Sequence, residues 1–241
     1  MANPYFRFKQ FTVYHDRSAM KVTTDACLFG AWCAGEMKNS KLKIENALDV
    51  GTGTGLLSLM VAQQNNLNIH AVEIDAGAAT QAGENFAASP WNDRLEVTEG
   101  DITTTPLAPS YDCIISNPPF YENEWQSAQS LRNVAHHSHR LKLEELLDLI
   151  QQHLAEDGVF FLLLPFKRQA EIERLLKEKH LFAVKEVLVH QSTRHSPFRI
   201  MIKGSKNALL QKEEVHIKIS FDNGSYTPEF TALLKDYYFY L

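Results

Sequence analysis

The chain has 241 residues, 44% of them hydrophobic and 22% charged, with a formal net charge of −5. A chain of this size and balance buries a full core in one domain, and its acidity excludes indiscriminate binding to nucleic acid while leaving room for a local basic face. Its start, MANPYFRFKQ, lacks the apolar stretch of a secretion signal, and its longest apolar run, Val159 to Phe166, is too short to span a membrane, so a cytoplasmic protein is expected. Cys27, Cys33 and Cys113 are odd in number and lack CxxC spacing, which predicts neither a disulfide framework nor a zinc site.

Taken in chain order, short apolar runs alternate with segments whose apolar positions recur at three and four. The predicted strands are IENALDV (44–50), NIHAVEI (68–74), RLEVTEG (94–100), YDCIIS (111–116), GVFFLLLP (158–165), AVKEVLVHQ (183–191) and FRIMIKG (198–204). Between them the spacing predicts helices over 55–65, 77–88, 141–154 and 166–180. This alternation reads as a three-layer α/β sandwich around a mostly parallel sheet. Only the Ser, Thr and Pro-rich stretch 192–197 joins the last two runs, and so short a link permits an antiparallel pair. EEVHIKIS (213–220) alternates like one more strand, and PEFTALLKDYYFYL reads as a short closing helix or an aromatic tail.

The loop after the first of these strands is Leu48-Asp49-Val50-Gly51-Thr52-Gly53-Thr54-Gly55. Glycines at alternate positions between a strand and a helix let the backbone turn sharply and approach a ligand; the plainer reading is a tight turn with no ligand. The dinucleotide fingerprint G-x-G-x-x-G would need glycine at 56, where Leu56 stands. The D-x-G-x-G-x-G pattern resembles motif I of class I S-adenosylmethionine-dependent methyltransferases. That resemblance implies cofactor contacts from Asp49, Gly51, Gly53 and Gly55. Glu73, ending HAVE, can accept both hydroxyls of a ribose, and Ile74 beside it can pack on an adenine face. Asp101, after the third strand, would take the adenine amino group as the corresponding acid does in that class. Each acid alone is as readily a solvated surface group, but successive strand ends carrying suitable chemistry mark the edge at which open α/β sheets bind ligands.

The fourth strand ends in Ser116-Asn117-Pro118-Pro119-Phe120. Proline fixes its own φ and restricts the residue before it, so Asn117 and the neighbouring carbonyls are held stiffly. Two prolines that merely end a strand would look the same. The stretch resembles the [DNS]-P-P-[FY] motif of methyltransferases acting on a planar amino nitrogen. By that resemblance the Asn117 side-chain oxygen and the Pro118 carbonyl accept the two N–H groups and Phe120 stacks on the base, so that positioning and fixed dipoles do the work.

A narrower resemblance covers nearly the whole chain. Met20, Lys21, Val22, Thr24 and Asp25, together with AHHSHRLKLEELL (135–147) and YTPEFTALLKDYY near the end, are similar to bacterial tRNA methyltransferases that make N6-methyladenosine at position 37, beside the anticodon, of the valine tRNA1. The family implies S-adenosyl-L-methionine as cofactor and a tRNA anticodon stem-loop as partner. It also implies a seven-stranded Rossmann-like sheet whose last strand is antiparallel, and a single domain over 1–241; the sequence does not reveal the oligomeric state, a monomer being favoured. Residues 1–40 would form an N-terminal extension in which Lys21 and Asp25 cover the bound cofactor, and about 205–241 a C-terminal extension. On propensity alone, Thr24 or Asp25 is also an ordinary helix N-cap.

Tyr121, His136 and Arg140 flank the proline motif and are the expected substrate contacts, joined by Lys167 and Arg168, with Arg194, His195 and Arg199 as further basic residues on the same rim. Any single Lys or Arg is more often plain surface charge. His136, His137 and His139 lack an acidic partner at ligand spacing, so no metal is expected. Two other functions stay open at this point: a methyltransferase acting on a glutamine amide, or a module that senses the cofactor without chemistry. The first lacks a recognisable helical substrate domain ahead of the glycine loop; the second has no use for an amine-binding motif.

Overall fold

The computed structural model describes residues 3–18, 20–119 and 141–241. An N-terminal hairpin, β1 (Tyr5–Arg7) and β2 (Thr12–Tyr14), leads into α1 (Thr24–Lys38). Strands β3 (Asn46–Val50), β4 (Asn68–Glu73) and β5 (Leu95–Glu99) alternate with α2 (Leu56–Gln64) and α3 (Ala76–Ala87). Then come β6 (Tyr111–Ser116), α4 (Leu143–His153), β7 (Leu154–Pro165), a single 3-10 turn (Phe166–Arg168) and α5 (Gln169–Glu178). Strands β8 (Phe182–Ser192), β9 (Pro197–Ser205) and β10 (Glu213–Ser220) and helix α6 (Pro228–Leu234) complete the described elements, none of whose helices is long and apolar enough to cross a membrane.

Eight strands form one sheet in the order β10-β8-β9-β7-β6-β3-β4-β5. Only β9 runs against its neighbours, pairing antiparallel with both β7 and β8. The sheet therefore has one strand more than the seven expected. The extra strand is β10, which the alternation of EEVHIKIS announced and which lies parallel to β8 at the edge. Because β9 is reversed, its first residues lie at the edge where the parallel strands end: Pro165 is opposite Arg199.

Alternation along the central strands sorts the core into two layers. On β7, Val159, Phe161 and Leu163 face one cluster, while Phe160, Leu162 and Leu164 face the other. The first cluster is covered by α1, α2, α3 and α6, the second by α4 and α5. Burying each large apolar side chain contributes roughly 1.5–3 kcal/mol. Helices α4 and α5 show the expected one-sided pattern, burying Leu146, Leu147, Ile150, Ile172, Leu175 and Leu176. Helix α2 does not, since every residue from Leu56 to Ala62 is buried. It is closed in by the sheet, by α1 and by the C-terminal tail, whose Tyr237 hydroxyl donates to the Met60 carbonyl at 2.9 Å.

The N-terminal residues are tied into this layer. Phe8 and Phe11 stack at 4.5 Å between centroids and are buried. The cap of α1 is Thr23, one residue ahead of Thr24 and two ahead of Asp25, the expected candidates. Asp25 instead stands in the first turn, where a carboxylate complements the helix dipole.

Candidate active site

The glycine loop turns through three left-handed residues, Gly51 at φ 69°, Gly53 at 58° and Gly55 at 80°, a conformation that any β-carbon would strain. The three glycines differ in their surroundings. A β-carbon on Gly55 would lie 2.4 Å from the Phe86 ring, so this position serves close packing of α3 on the loop. At Gly51 and Gly53 it would meet nothing within 4 Å, so these two leave an open cradle above the sheet. Beneath the loop Asp49 is fully buried, and its Oδ2 accepts from the Thr52 and Ser58 hydroxyls at 2.7 Å each. Its Oδ1 is buried without a hydrogen-bond partner. Burial, helped by the charge of Glu73, pushes the Asp49 carboxyl up to about 6, against the pull of the two hydroxyls.

Glu73 ends β4 and braces the loop, accepting from the Gly53 backbone N–H at 2.8 Å and from that of Asp75 at 2.9 Å. Ile74 next to it is 40% exposed, an apolar side chain left at the cradle's margin. Asp75 caps α3 by accepting from the Ala78 N–H. Asp101 follows β5 at the same edge, and its Oδ1 accepts from the backbone and hydroxyl of Thr103. The structure thus brings Asp49, Gly51, Gly53, Gly55, Glu73, Ile74 and Asp101 to one edge, because the parallel strands β3, β4 and β5 end side by side.

Asn117 follows β6, the neighbour of β3, and Ser116 before it donates to the Val50 carbonyl at 2.8 Å, fixing the turn to the strand that carries the glycine loop. Pro118 is buried, and the Asn117 Oδ1 is buried with no hydrogen-bond partner among the described residues. Asn117 lines a cavity of about 470 Å³ whose wall includes Thr23, Asp25, Phe166, Lys167, Phe198 and Arg199. Phe120, Tyr121, His136 and Arg140 lie outside the described residues.

The basic residues of the rim fall into two kinds. Lys167 borders the cavity. Arg168 turns to Glu171, donating from Nε and Nη2 at 2.7 and 2.9 Å, and this guanidinium holds the Glu171 carboxyl below its usual range. Arg168 therefore buttresses the start of α5, a role its spacing to Glu171 at i+3 could have signalled. Arg194 pairs with Asp222, and His195 Nδ1 lies 2.7 Å from the Ser192 hydroxyl. Lys21 donates to the His15 carbonyl at 2.9 Å. Asp25 forms an ion pair with Arg199 Nε at 2.7 Å, and the Arg199 guanidinium lies over the Phe198 ring. The sequence reading missed Thr23, Phe166 and Phe198 as cavity residues; the reversal of β9, which carries Phe198 to this edge, was the available signal. Among the described residues no cluster of His, Cys, Asp or Glu is disposed to hold a metal ion.

A Rossmann-like sheet with a glycine cradle at its carboxyl edge and an amide acceptor beside it defines a methyltransferase, and residues 35–192 match the methyltransferase small domain family. Solved structures share the fold at low identity. A predicted O-methyltransferase from Agrobacterium tumefaciens superposes with a TM-score of 0.63 at 17% identity, covering 88% of this chain and 96% of that one. The glycopeptide N-methyltransferase MtfA complexed with S-adenosyl-L-methionine does so at 0.55 and 11%, covering 74% and 94%.

Full-length relatives narrow the class. The tRNA1(Val) (adenine(37)-N6)-methyltransferase of Parabacteroides distasonis is 37% identical over 99% of each chain, and those of Phocaeicola vulgatus and Dyadobacter fermentans are 38% and 39% identical over 99% and 98% of each chain. The chain belongs to this family of tRNA1(Val) (adenine(37)-N6)-methyltransferases.

Proposed function

We propose that the protein transfers a methyl group from S-adenosylmethionine to N6 of adenine 37 in the anticodon loop of tRNA1(Val), the reaction named for its relatives. The observation that carries this reading is the Asn117 Oδ1: a buried acceptor without a partner among the described residues, in a cavity beside the glycine cradle. Leaving such an acceptor unpaired is costly, and an amino group presented in the cavity would satisfy it.

The residues at the cradle fit the cofactor. Gly51 and Gly53 leave space where side chains would stand, Glu73 offers carboxylate oxygens toward ribose hydroxyls, Ile74 offers an apolar surface for adenine, and Asp101 can accept from its amino group. When bound, the cofactor supplies an electrophilic sulfonium methyl group.

The chain's own task is to make a poor nucleophile attack. The N6 lone pair is delocalised into the purine ring, and two acceptors, the Asn117 oxygen and the Pro118 carbonyl, draw both N–H bonds toward the pyramidal geometry of attack. Phe120 stacks on the base and Lys21 and Asp25 cover the cofactor. Tyr121, His136, Arg140 and Lys167 meet the RNA; Arg168 acts on it through the position of the 3-10 turn. An anticodon-loop purine is unpaired, so bringing it into the cavity costs little beyond lost stacking.

Incubating the protein with labelled cofactor and tRNA1(Val) transcripts tests this directly. Label is expected in N6-methyladenosine on digestion and is expected to vanish when adenine 37 is replaced by guanine, which has a carbonyl where adenine has its amine. Equal labelling of the guanine transcript, or labelling of a protein glutamine with none in tRNA, would overturn the reading.

A further inference from the structure

The described residues between β2 and α1 cross the carboxyl edge of the sheet and are held there by two unlike anchors. At one side the anchors are buried neutral amides on α3. Asn85 accepts from the Tyr14 N–H at 3.0 Å and donates both to the Tyr14 carbonyl at 3.0 Å and to the Thr54 carbonyl of the glycine loop at 2.8 Å. Gln81 accepts from the Arg17 N–H at 3.1 Å and donates to Asp16 at 2.7 Å. Both amides are 1% exposed. At the other side, above β9, the segment runs into the first turn of α1, where Asp25 forms an ion pair with Arg199, the side chains being 15% and 27% exposed.

We propose that Arg199 is a positioning residue for the methyl-transfer reaction: by pairing with Asp25 it pins the first turn of α1, and with it the α1 end of this segment, at the edge of the sheet beside the glycine cradle, and forms one wall of the acceptor cavity. The two anchors differ physically in the way this demands. The α3 side also carries the exposed Arg17–Glu84 ion pair, but its buried amide bonds to the backbone of Tyr14, Arg17 and Thr54 are dry and insensitive to salt, so that side stays fixed when the ion pair is screened. A partly wetted ion pair is weakened by screening, so the β9 side is the one that releases. Arg199 reaches Asp25 across 174 positions of sequence, and the Phe198 ring beneath its guanidinium steadies it. One side chain thus links the segment over the cradle to the wall of the cavity containing Asn117. The link to cofactor affinity rests on the cofactor assignment above; the closure of the segment does not.

Limited proteolysis tests the closure without any ligand. Arg17 and Lys21 are exposed trypsin sites on the segment. Arg199→Gln should raise cleavage at Lys21 roughly tenfold with the melting temperature unchanged, Arg17, held to α3 through Gln81 and Glu84, should serve as the unchanged control, and Arg199→Lys should keep the protection. Raising salt should speed cleavage at Lys21 in the wild type and not in Arg199→Gln. Titration with S-adenosylmethionine should then show affinity reduced roughly fivefold or more in Arg199→Gln. Wild-type cleavage rates in Arg199→Gln, or unchanged cofactor affinity, would overturn the proposal. A wild-type protein that binds no S-adenosylmethionine would overturn the cofactor assignment instead, with proteolysis still deciding the role of Arg199.

Discussion

Two cavities of similar size lie at opposite edges of the sheet, about 500 Å³ at the amino edge and about 470 Å³ at the carboxyl edge. They differ in how their polar groups are satisfied. At the amino edge His70 bonds to the Tyr111 and Thr98 hydroxyls at 2.9 Å each, and Arg94 donates to the carbonyls of Ala62, Asn65 and Leu67. These bonds close the bottom of the sheet and the end of α2. At the carboxyl edge Asn117 Oδ1 and Asp49 Oδ1 are buried without partners among the described residues. Volume does not tell these two cavities apart; the Asn117 acceptor, dry and without a partner among the described residues, does, because that arrangement costs stability unless something else completes it.

The largest expected effect is at the cradle. Gly53→Trp should abolish cofactor binding and with it all turnover, because a side chain would enter the open space and strain a residue at φ 58°. Calorimetry showing wild-type affinity would break the contrast between the edges. Next comes Asn117→Ala, which should keep cofactor affinity and lower the rate of methyl transfer about 100-fold or more, the scale of one preorganised transition-state hydrogen bond. Near-normal single-turnover rates would remove Asn117 from the mechanism.

A third variant sharpens the comparison through stability. The Asp49 carboxyl is raised from 3.8 to about 6 by burial, so between those values the native state binds more protons than the unfolded chain. Stability from this group is present at low pH and is lost as pH rises through about 6. Asp49→Asn removes the buried charge and keeps an acceptor for Thr52 and Ser58. It should stabilise the ligand-free protein above that pH by roughly 1–3 kcal/mol, flatten the acid limb of the stability profile, and weaken cofactor binding. Urea titrations across pH would show it, and a variant less stable than wild type at neutral pH would contradict it. The smallest effect is expected at the other edge. Tyr111→Phe removes the hydroxyl shared by His70 and the Ala108 N–H and should cost about 1 kcal/mol with methyl transfer unchanged within about twofold. A large loss of activity there would give the amino-edge cavity a share in the reaction.

The parts of this protein legible in the sequence are those whose cause is local. Alternating β7 residues serve the two core layers, and the left-handed turns of Gly51, Gly53 and Gly55 follow from what a single residue's backbone permits. The carboxylates and Asn117 were legible for the same reason: a parallel strand delivers its last residue to a known edge. Helix α1 was hidden except for its start, since its residues are buried almost throughout and show no one-sided period. The brace from Glu73 to Gly53 spans two strand ends, and the diversion of Arg168 to Glu171 depends on how a 3-10 turn enters α5. Above all, the wall opposite Asn117 exists because β9 is inserted, reversed, between β7 and β8, which sets Phe198 and Arg199 at the same edge as Asp25. Dihedral preference and side-chain period act over a few residues and are written in any short window. Strand order and a contact across 174 positions arise only when the whole core has packed, so the tertiary structure alone decided them.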